Sequence, residues 1–396
     1  MITVDQWLQT HYGAEVFRAG LTALEKFLSP SIREVLQHQP KIITIAGTNG
    51  KGETSFRLAQ LLKEQNKSFK LWTSPHLLSV KERFVSGQGQ ISEEDLKSLF
   101  LTIESKKESK LSYYEFLFSV FLEWVKLEPC EYIILEVGLG GRLDAVSLLP
   151  AQLVLIPSIS RDHQDYLGPT YRSILSEKLG VMGKLCQIQC LSSFETKYLR
   201  ELTLQKISNN ISYQDLFELG LVTQKDHFDL RNTTLAVAGL MLMAGEPLHP
   251  IKLREKAHEL LKTKLAGRGE RIKLGEKEFT FFGSHNPDGV RKLIQLLQGS
   301  HYTFREVLVS FSARDHKDLI TQLKLIGLLG KEKVILTSFS HPKAASVDLL
   351  QDLASKEGIR FVKEWPPILQ SAESSCLVTG SYYFVGAVQS YLNSIR

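Results

Sequence analysis

Residues Lys41–Gln65 read KIITIAGTNGKGETSFRLAQLLKEQ. The first five residues have the β-branched character of a buried strand, the next seven are rich in glycine, and the remainder carries the apolar spacing of an amphipathic helix. Strand, glycine loop and helix in that order are the context that separates a phosphate-binding loop from a chance glycine cluster. Gly47, Gly50 and Gly52 let the backbone approach phosphate oxygens, with Thr48 and Asn49 completing the loop. The helix start adds unpaired N–H groups and a partial positive charge, and Lys51 can neutralise the outer phosphates. A plain glycine turn needs neither Asn49 nor Lys51. One position is out of pattern: Glu53 stands where a small hydroxyl residue that grips a magnesium ion is expected, and Thr54 and Ser55 are close enough to offer a hydroxyl instead.

Outward from this stretch, short apolar runs alternate with helical patterns along nearly the whole chain, the signature of a parallel sheet with crossover helices. Strands are expected at 41–45, 69–73, 132–137, 153–156 and 187–191. Helices are expected from the Ser92/Asp95 capping arrangement onward and over Tyr113–Val125, with the mixed-charge ESKKESK of 104–110 as a solvated helix end and loop. After LAGRGERI a second series begins, with strands near 278–282, 306–311, 333–338 and 376–378 and helices near 287–298, 317–328 and 346–355. The boundary is placed near Ala266–Arg271, giving domains 1–268 and 269–396, and a cleft between two such α/β units is the expected ligand site.

A chain of 396 residues, 43% of them hydrophobic, is long enough for two domains with substantial cores. No uninterrupted apolar run reaches membrane-spanning length, and the opening MITVDQWLQTHYGAE lacks the basic start and apolar centre of a secretory signal, so a cytoplasmic protein is expected. Four scattered cysteines, Cys130, Cys186, Cys190 and Cys376, do not make a disulfide framework and read as buried thiols; Cys186 and Cys190 lack the second ligand pair of a metal site. A net charge of +5 suits small anions, and no Lys/Arg block with interleaved aromatics argues for nucleic acid.

Two further stretches carry chemistry. In IILEVGLGGRLDA, 133–145, an apolar strand ends in Glu136 before a glycine loop, which is where a hard cation beside a nucleotide loop would find a carboxylate oxygen. The alternative is a buried glutamate paired with Arg142. In SISRDHQDYLGPTYRSILSEKLGVMGK, 158–184, Asp162 and His163 follow another strand in the same relative position, which makes His163 a candidate ligand.

With these blocks in view, the chain resembles the folylpolyglutamate synthase/dihydrofolate synthase enzymes, relatives of the Mur ligases. AGTNGKG, TSPHLLSVKERF (73–84), ILEVGLGGRLDA, DHQDYLGPTYRSILSEKLGV, GRGE (267–270), SHNPDG (284–289) and VTGSYYFVGAV (378–388) occur in the family's order. The resemblance implies an α/β fold: an N-terminal P-loop Mur-ligase-like ATPase domain with a mostly parallel sheet and a smaller C-terminal Rossmann-like domain. It implies an ATP-dependent ligase that joins L-glutamate to folate or dihydropteroate through an acyl phosphate, with release of ADP and phosphate. It also implies that Lys51 and the loop backbone hold phosphates, that Glu136, His163 and Ser74 make a magnesium region, and that Asn232 and Arg268 contact ATP. His285 would reach phosphate or the reacting groups. Lys178 matches a lysine that is carbamylated in the family, which would turn a cation into an anionic ligand for a second magnesium; an ordinary lysine contacting phosphate is the alternative. The family is generally monomeric, and its partners are small-molecule substrates.

The chain departs from the family at Glu53, at Phe282 in place of an ATP-contacting aspartate, at His316-Lys317-Asp318 in place of D-K-D, and at Ser147 in place of an asparagine. A carboxylate at Glu53 adds negative charge beside the phosphates unless a metal is present, while an aromatic at 282 exchanges a polar contact for an apolar one. Because Lys51, Glu136, His163, Lys178 and His285 are all kept, a working site is expected. The competing readings are a catalytically weak nucleotide-binding relative with a regulatory role and a Mur-like ligase for another acceptor; TSPHLLSVKERF speaks for the folate branch.

Overall fold

The computed structural model describes residues 2–13, 15, 20–107, 110–182, 188–191, 209–211, 213–223, 226–263, 267–299, 302–371 and 375–395. They form two compact units, Met1–Lys262 and Thr263–Arg396. The first runs α1 (Val4–Tyr12), α2 (Thr22–Gln37), β1 (Lys41–Ile45), α3 (Lys51–Glu64), β2 (Phe69–Trp72), β3 (Phe84–Ser86), β4 (Gly89–Gln90), α4 (Glu93–Lys106), α5 (Tyr113–Leu127), β5 (Tyr132–Glu136), β6 (Leu153–Ile156), α6 (Gln164–Leu167), α7 (Tyr171–Leu179), β7 (Ile188–Leu191), β8 (Asn209–Ile211), α8 (Tyr213–Glu218), α9 (Phe228–Met243) and α10 (Pro250–Leu260). The strand order is β4-β3-β2-β5-β1-β6-β7-β8, parallel except for the β2-β3-β4 edge.

Strand periodicity of two distributes the core to both faces of this sheet. Ile42, Ile133, Leu135, Val154 and Ile156 point into one cluster with α2, α4 and α5, whereas Ile43, Ile45, Ile134, Leu153 and Leu155 point into another with α3, α9 and α10. α5 begins at a capping box in which Ser112 and Glu115 exchange hydrogen bonds, and its long buried run from Phe116 to Val125 explains why the sequence there shows little amphipathic contrast. Trp72 at the end of β2 packs against Phe84, Tyr114, Phe118 and Phe121.

The second unit contains β9 (Arg268–Leu274), β10 (Lys277–Phe282), α11 (Pro287–Gln298), β11 (Glu306–Val309), α12 (His316–Gly327), β12 (Val334–Thr337), α13 (Val347–Glu357), β13 (Arg360–Val362), α14 (Pro366–Ser371), β14 (Ser375–Thr379) and α15 (Tyr382–Ser394). Its sheet order is β13-β12-β11-β14-β10-β9, parallel apart from the β9-β10 hairpin. A core of its own, including Val290, Leu293, Leu319, Leu323, Leu336, Leu350 and Leu377, fills one face.

The expected strands and helices are present, shifted by one or two residues at their ends, and strands β3, β4, β8, β9 and β13, at or next to the sheet edges, are additional. These additions are short, half-exposed or antiparallel, so they lack the continuous apolar run that marks a central parallel strand. Cys186 lies outside the described residues, as does the side chain of Cys190. Cys376 is buried and Cys130 only partly so, and burial pushes the Cys130 thiol up to about 11 and the Cys376 thiol up to about 12. No helix among the described residues is long and apolar enough to cross a membrane.

Candidate active site

β1 lies between β5 and β6, so three carboxyl ends meet where the strand order changes direction, the place where an open α/β sheet binds ligands. Ile45 is in register with Glu136 on one side and Leu155 on the other. The loop that follows β1 is braced by the segment after β6. Thr48 N–H donates to Ser158 O at 2.9 Å, Asn49 N–H to Ser158 Oγ at 2.9 Å, and Ser160 N–H to Thr48 Oγ1 at 3.0 Å. Ser158 and Ser160 were not singled out in the sequence; only the pairing of β1 with β6 brings them to the loop.

Gly50 enters α3 with φ +87°, and a Cβ there would lie 2.6 Å from Asn232 Nδ2. Only glycine combines this left-handed conformation with so close an approach. Asn232, on α9, thus lies against the phosphate loop although 182 residues separate it from Gly50. Glu53 is turned toward the same residue: Asn232 Nδ2 donates to Glu53 Oε2 at 3.0 Å, and Arg57 Nη2 lies 3.7 Å from Glu53 Oε1. Arg57 is anchored by its bond to Leu260 O at 2.6 Å. The four-residue helical spacing of Glu53 and Arg57 is a sequence signal that could have revealed this pair. Thr54 Oγ1 donates to Gly50 O at 3.0 Å.

Two lysines converge on one backbone oxygen of the loop. Lys51 Nζ donates to Gly47 O and Thr48 O, each at 3.1 Å, and Lys178 Nζ donates to Gly47 O at 2.8 Å. Lys178 is 4% exposed, and burial, with the Lys51 charge adding to it, lowers its pKa from 10.5 to about 7, against the opposing pull of Asp162 and Asp144. Its position depends on the glycine loop after Glu136. A Cβ on Gly141 would lie 2.6 Å from Glu177 O and 2.7 Å from Lys178 O, so a side chain there would push α7 away.

Glu136 is buried at the end of β5, and Ser74, after β2, donates its N–H to Glu136 Oε2 at 3.1 Å. Ser74 Oγ is buried without a hydrogen-bond partner, an orphaned oxygen beside a carboxylate, which is the donor chemistry a hard divalent cation takes. Arg142 pairs with Glu177 at 3.0 Å, so the alternative partner for Glu136 is engaged elsewhere. His163 has left-handed backbone angles (φ 51°) and a half-exposed side chain, with Nε2 4.0 Å from Asp162 Oδ2. Among the described residues no group of three or more His, Cys, Asp and Glu converges as a self-contained metal cage. The residues after Glu136 are held by Asp144, which accepts from Gly138 N, Leu139 N and Tyr114 Oη at 2.9, 3.0 and 2.9 Å. Neither Asp144 nor Tyr114 was expected as part of the site; the fold, not the spacing, brings them together.

In the second unit, His285 follows β10 and its Nδ1–H donates to Gly283 O at 3.0 Å. Asn286 caps α11 through Gly289 N–H at 2.8 Å. Phe282 is packed in the unit's core and not presented as an exposed aromatic face. His316, Lys317 and Asp318 begin α12 behind the N-cap Asp315. The side chain of Arg268 lies outside the described residues.

No protein-family model matches the chain. A Haemophilus influenzae dihydrofolate synthase/folylpolyglutamate synthase is 37% identical over 155 residues, 39% of this chain and 36% of that protein. The Bacillus subtilis protein of the same name is 23% identical over 387 residues, 88% of this chain and 89% of its own length. Among solved structures, Escherichia coli FolC in complex with DHPP and ADP has a TM-score of 0.80 at 23% identity over 100% of this chain and 98% of that one. The chain is similar to the dihydrofolate synthase/folylpolyglutamate synthase enzymes in sequence and in fold. A folylpolyglutamate synthase/dihydrofolate synthase from Yersinia pestis, complexed with AMPPNP and Mn ion, has a TM-score of 0.77 at 25% identity, covering 99% of this chain and 98% of its own. That structure thus holds a nucleotide analogue together with a divalent metal ion. The match spans only about a third of the length of the Haemophilus relative.

Proposed function

We propose that the protein is an ATP-dependent, ADP-forming ligase that adds L-glutamate to folate or dihydropteroate. The observation that carries this reading is the convergence of Lys51 and Lys178 on the Gly47 carbonyl, beside the orphaned Ser74 Oγ and the buried Glu136. A triphosphate in the loop would draw Lys51 toward its outer phosphates, while loop N–H groups and the start of α3 receive the remaining oxygens. The acceptor carboxylate attacks the γ-phosphorus, ADP leaves, and the resulting acyl phosphate is opened by the glutamate amine with loss of phosphate. His285 is assigned to the phosphate or the reacting groups, and Asn232 and Arg268 to ATP.

Ser74, Glu136 and His163 would hold magnesium, which when bound screens the like charges of carboxylate and triphosphate. Lys178, with its pKa near 7, supplies the neutral amine that carbon dioxide needs to form a carbamate, and that carbamate would be an anionic ligand for a second magnesium. The nucleotide role is assigned to residues 1–268 and the C-terminal role to 269–396. The protein is proposed to act as a cytoplasmic monomer on small molecules, without nucleic acid or membrane.

The test is ADP formation at saturating ATP and magnesium with dihydropteroate, folate or tetrahydrofolate, each with and without L-glutamate. Release of ADP only when an acceptor and glutamate are both present is expected. Nucleotide binding with no turnover on any acceptor would instead return the catalytically weak reading.

A further inference from the structure

The loop that follows Ser74 is shaped by acidic side chains. Apart from His76, and Pro75, which has no N–H, every backbone N–H from Ser74 to Val80 donates to a carboxylate. Ser74 N–H goes to Glu136 Oε2 at 3.1 Å, and those of Leu77, Leu78 and Ser79 go to Glu82 at 2.7, 2.7 and 3.0 Å. Val80 N–H goes to Asp5 Oδ1 at 2.7 Å, and the second oxygen of Asp5 accepts from Ser79 Oγ at 2.8 Å. Hydrogen bonds to an ionised acceptor are the stronger ones, and a segment with no strand or helix ladder of its own keeps its course only while such acceptors stay in place. Glu82 belongs to the turn that ends the loop, Val80–Arg83, and Glu136 to β5. Asp5 is different, because it comes from α1, 74 residues before Ser79. α1 is itself anchored: Val4 and Leu8 are buried, Val4 N–H donates to Glu93 Oε1 at 2.7 Å, and Trp7 lies against Phe100 and Phe116 with ring centroids 5.1 and 5.7 Å away. The helix thus offers Asp5 as a fixed support for the loop.

We infer that Asp5 is a positioning residue: by holding Ser79 and Val80 it fixes the loop that begins at Ser74, and so keeps the Ser74 hydroxyl beside the Glu136 carboxylate. This rests on the reading of Ser74 and Glu136 as a cation site. Without the Asp5 carboxylate, Glu82 holds Leu77, Leu78 and Ser79 alone and the Val80 end of the loop loses its tie to α1. A ligating oxygen has to stay within about 0.5 Å of its place, so a loosened loop weakens the site although no ligand has been removed.

The experiment is manganese(II) binding to the full chain carrying one equivalent of ADP, read by electron paramagnetic resonance, for the unmodified protein, Ser74→Ala, Asp5→Ala and the double variant. Hydrogen exchange at single-residue resolution over 75–83 accompanies it. Ser74→Ala is expected to weaken manganese binding about tenfold and Asp5→Ala about fivefold, with ADP affinity in the absence of divalent cation within about twofold of the original in both. The double variant should bind manganese no more than about twofold more weakly than Ser74→Ala alone, because Asp5 acts on the cation only through that hydroxyl. Exchange at Leu77, Leu78 and Ser79 should quicken about tenfold or more in Asp5→Ala, although their acceptor Glu82 is untouched. Asp5→Asn, which keeps one accepting oxygen, replaces Asp5→Ala if the latter does not melt cooperatively. Manganese binding that falls in Ser74→Ala but not in the folded Asp5 variant, losses that add in the double variant, or faster exchange confined to Val80 would each overturn this inference alone. Manganese binding unchanged in Ser74→Ala, or none to the unmodified chain, would overturn the cation reading of Ser74 and this inference with it.

Discussion

Two residues of the site behave unlike ordinary buried polar groups. Ser74 Oγ is buried and unpaired beside the Glu136 carboxylate. Removing an unsatisfied hydroxyl relieves a desolvation cost, so Ser74→Ala should leave the melting temperature unchanged or slightly raised. If the hydroxyl serves a cation, the same variant should need several-fold more magnesium for half-maximal ADP formation; an unchanged magnesium requirement would remove Ser74 from the metal set. Lys178 gives a pH prediction. Its folded pKa near 7 lies below the ordinary 10.5, so the unfolded chain binds the proton more readily and stability is lost as pH falls from about 10 toward 7, with no further loss below that. In buffer free of carbon dioxide, Lys178→Met should therefore gain stability relative to the original chain across that window, as read by thermal melts at several pH values. A flat difference would mean that Lys178 is not buried as a reluctant cation.

At the scale of elements, the site exists because loops after neighbouring strands lock into one another. Gly141 lets the loop after β5 touch the end of α7, and α7 carries Lys178 to Gly47. Gly141→Ala should destabilise the protein by about 1–3 kcal/mol, because the new methyl meets backbone oxygens that cannot swing aside. It should also depress ADP formation more than that stability loss explains at a temperature where the variant is fully folded. Tyr114→Phe tests the other brace: losing the bond to Asp144 should cost about 1 kcal/mol, and ADP formation should fall if the Gly138–Asp144 loop needs that anchor to position Glu136. Activity unchanged in a demonstrably destabilised Tyr114→Phe would confine the bond to stability. The strand, loop and helix of 41–65 could be read directly, since each is specified by its own residues. The braces could not, since Ser158, Asp144 and Tyr114 are ordinary polar residues until the sheet sets them beside the loop.

On the scale of the whole molecule, the two units have separate cores, the first divided between two faces of an eight-stranded sheet and the second built around six strands. Calorimetry should resolve two unfolding transitions, and only the one belonging to residues 1–262 should respond directly to magnesium tripolyphosphate, by about 2.7 kcal/mol at a hundredfold excess over Kd. A shift confined to the other transition would place phosphate binding outside the loop of β1. The amino-acid sequence by itself determined the alternation of strands and helices and the strand, glycine loop and helix of 41–65, because periodicity and glycine placement act locally along the chain. Tertiary structure alone decided where Glu53 points, which oxygen Lys51 and Lys178 share, and that Ser74 meets Glu136. Those outcomes depend on strand order and on which side chains are withdrawn from water together, and neither is encoded in any short stretch.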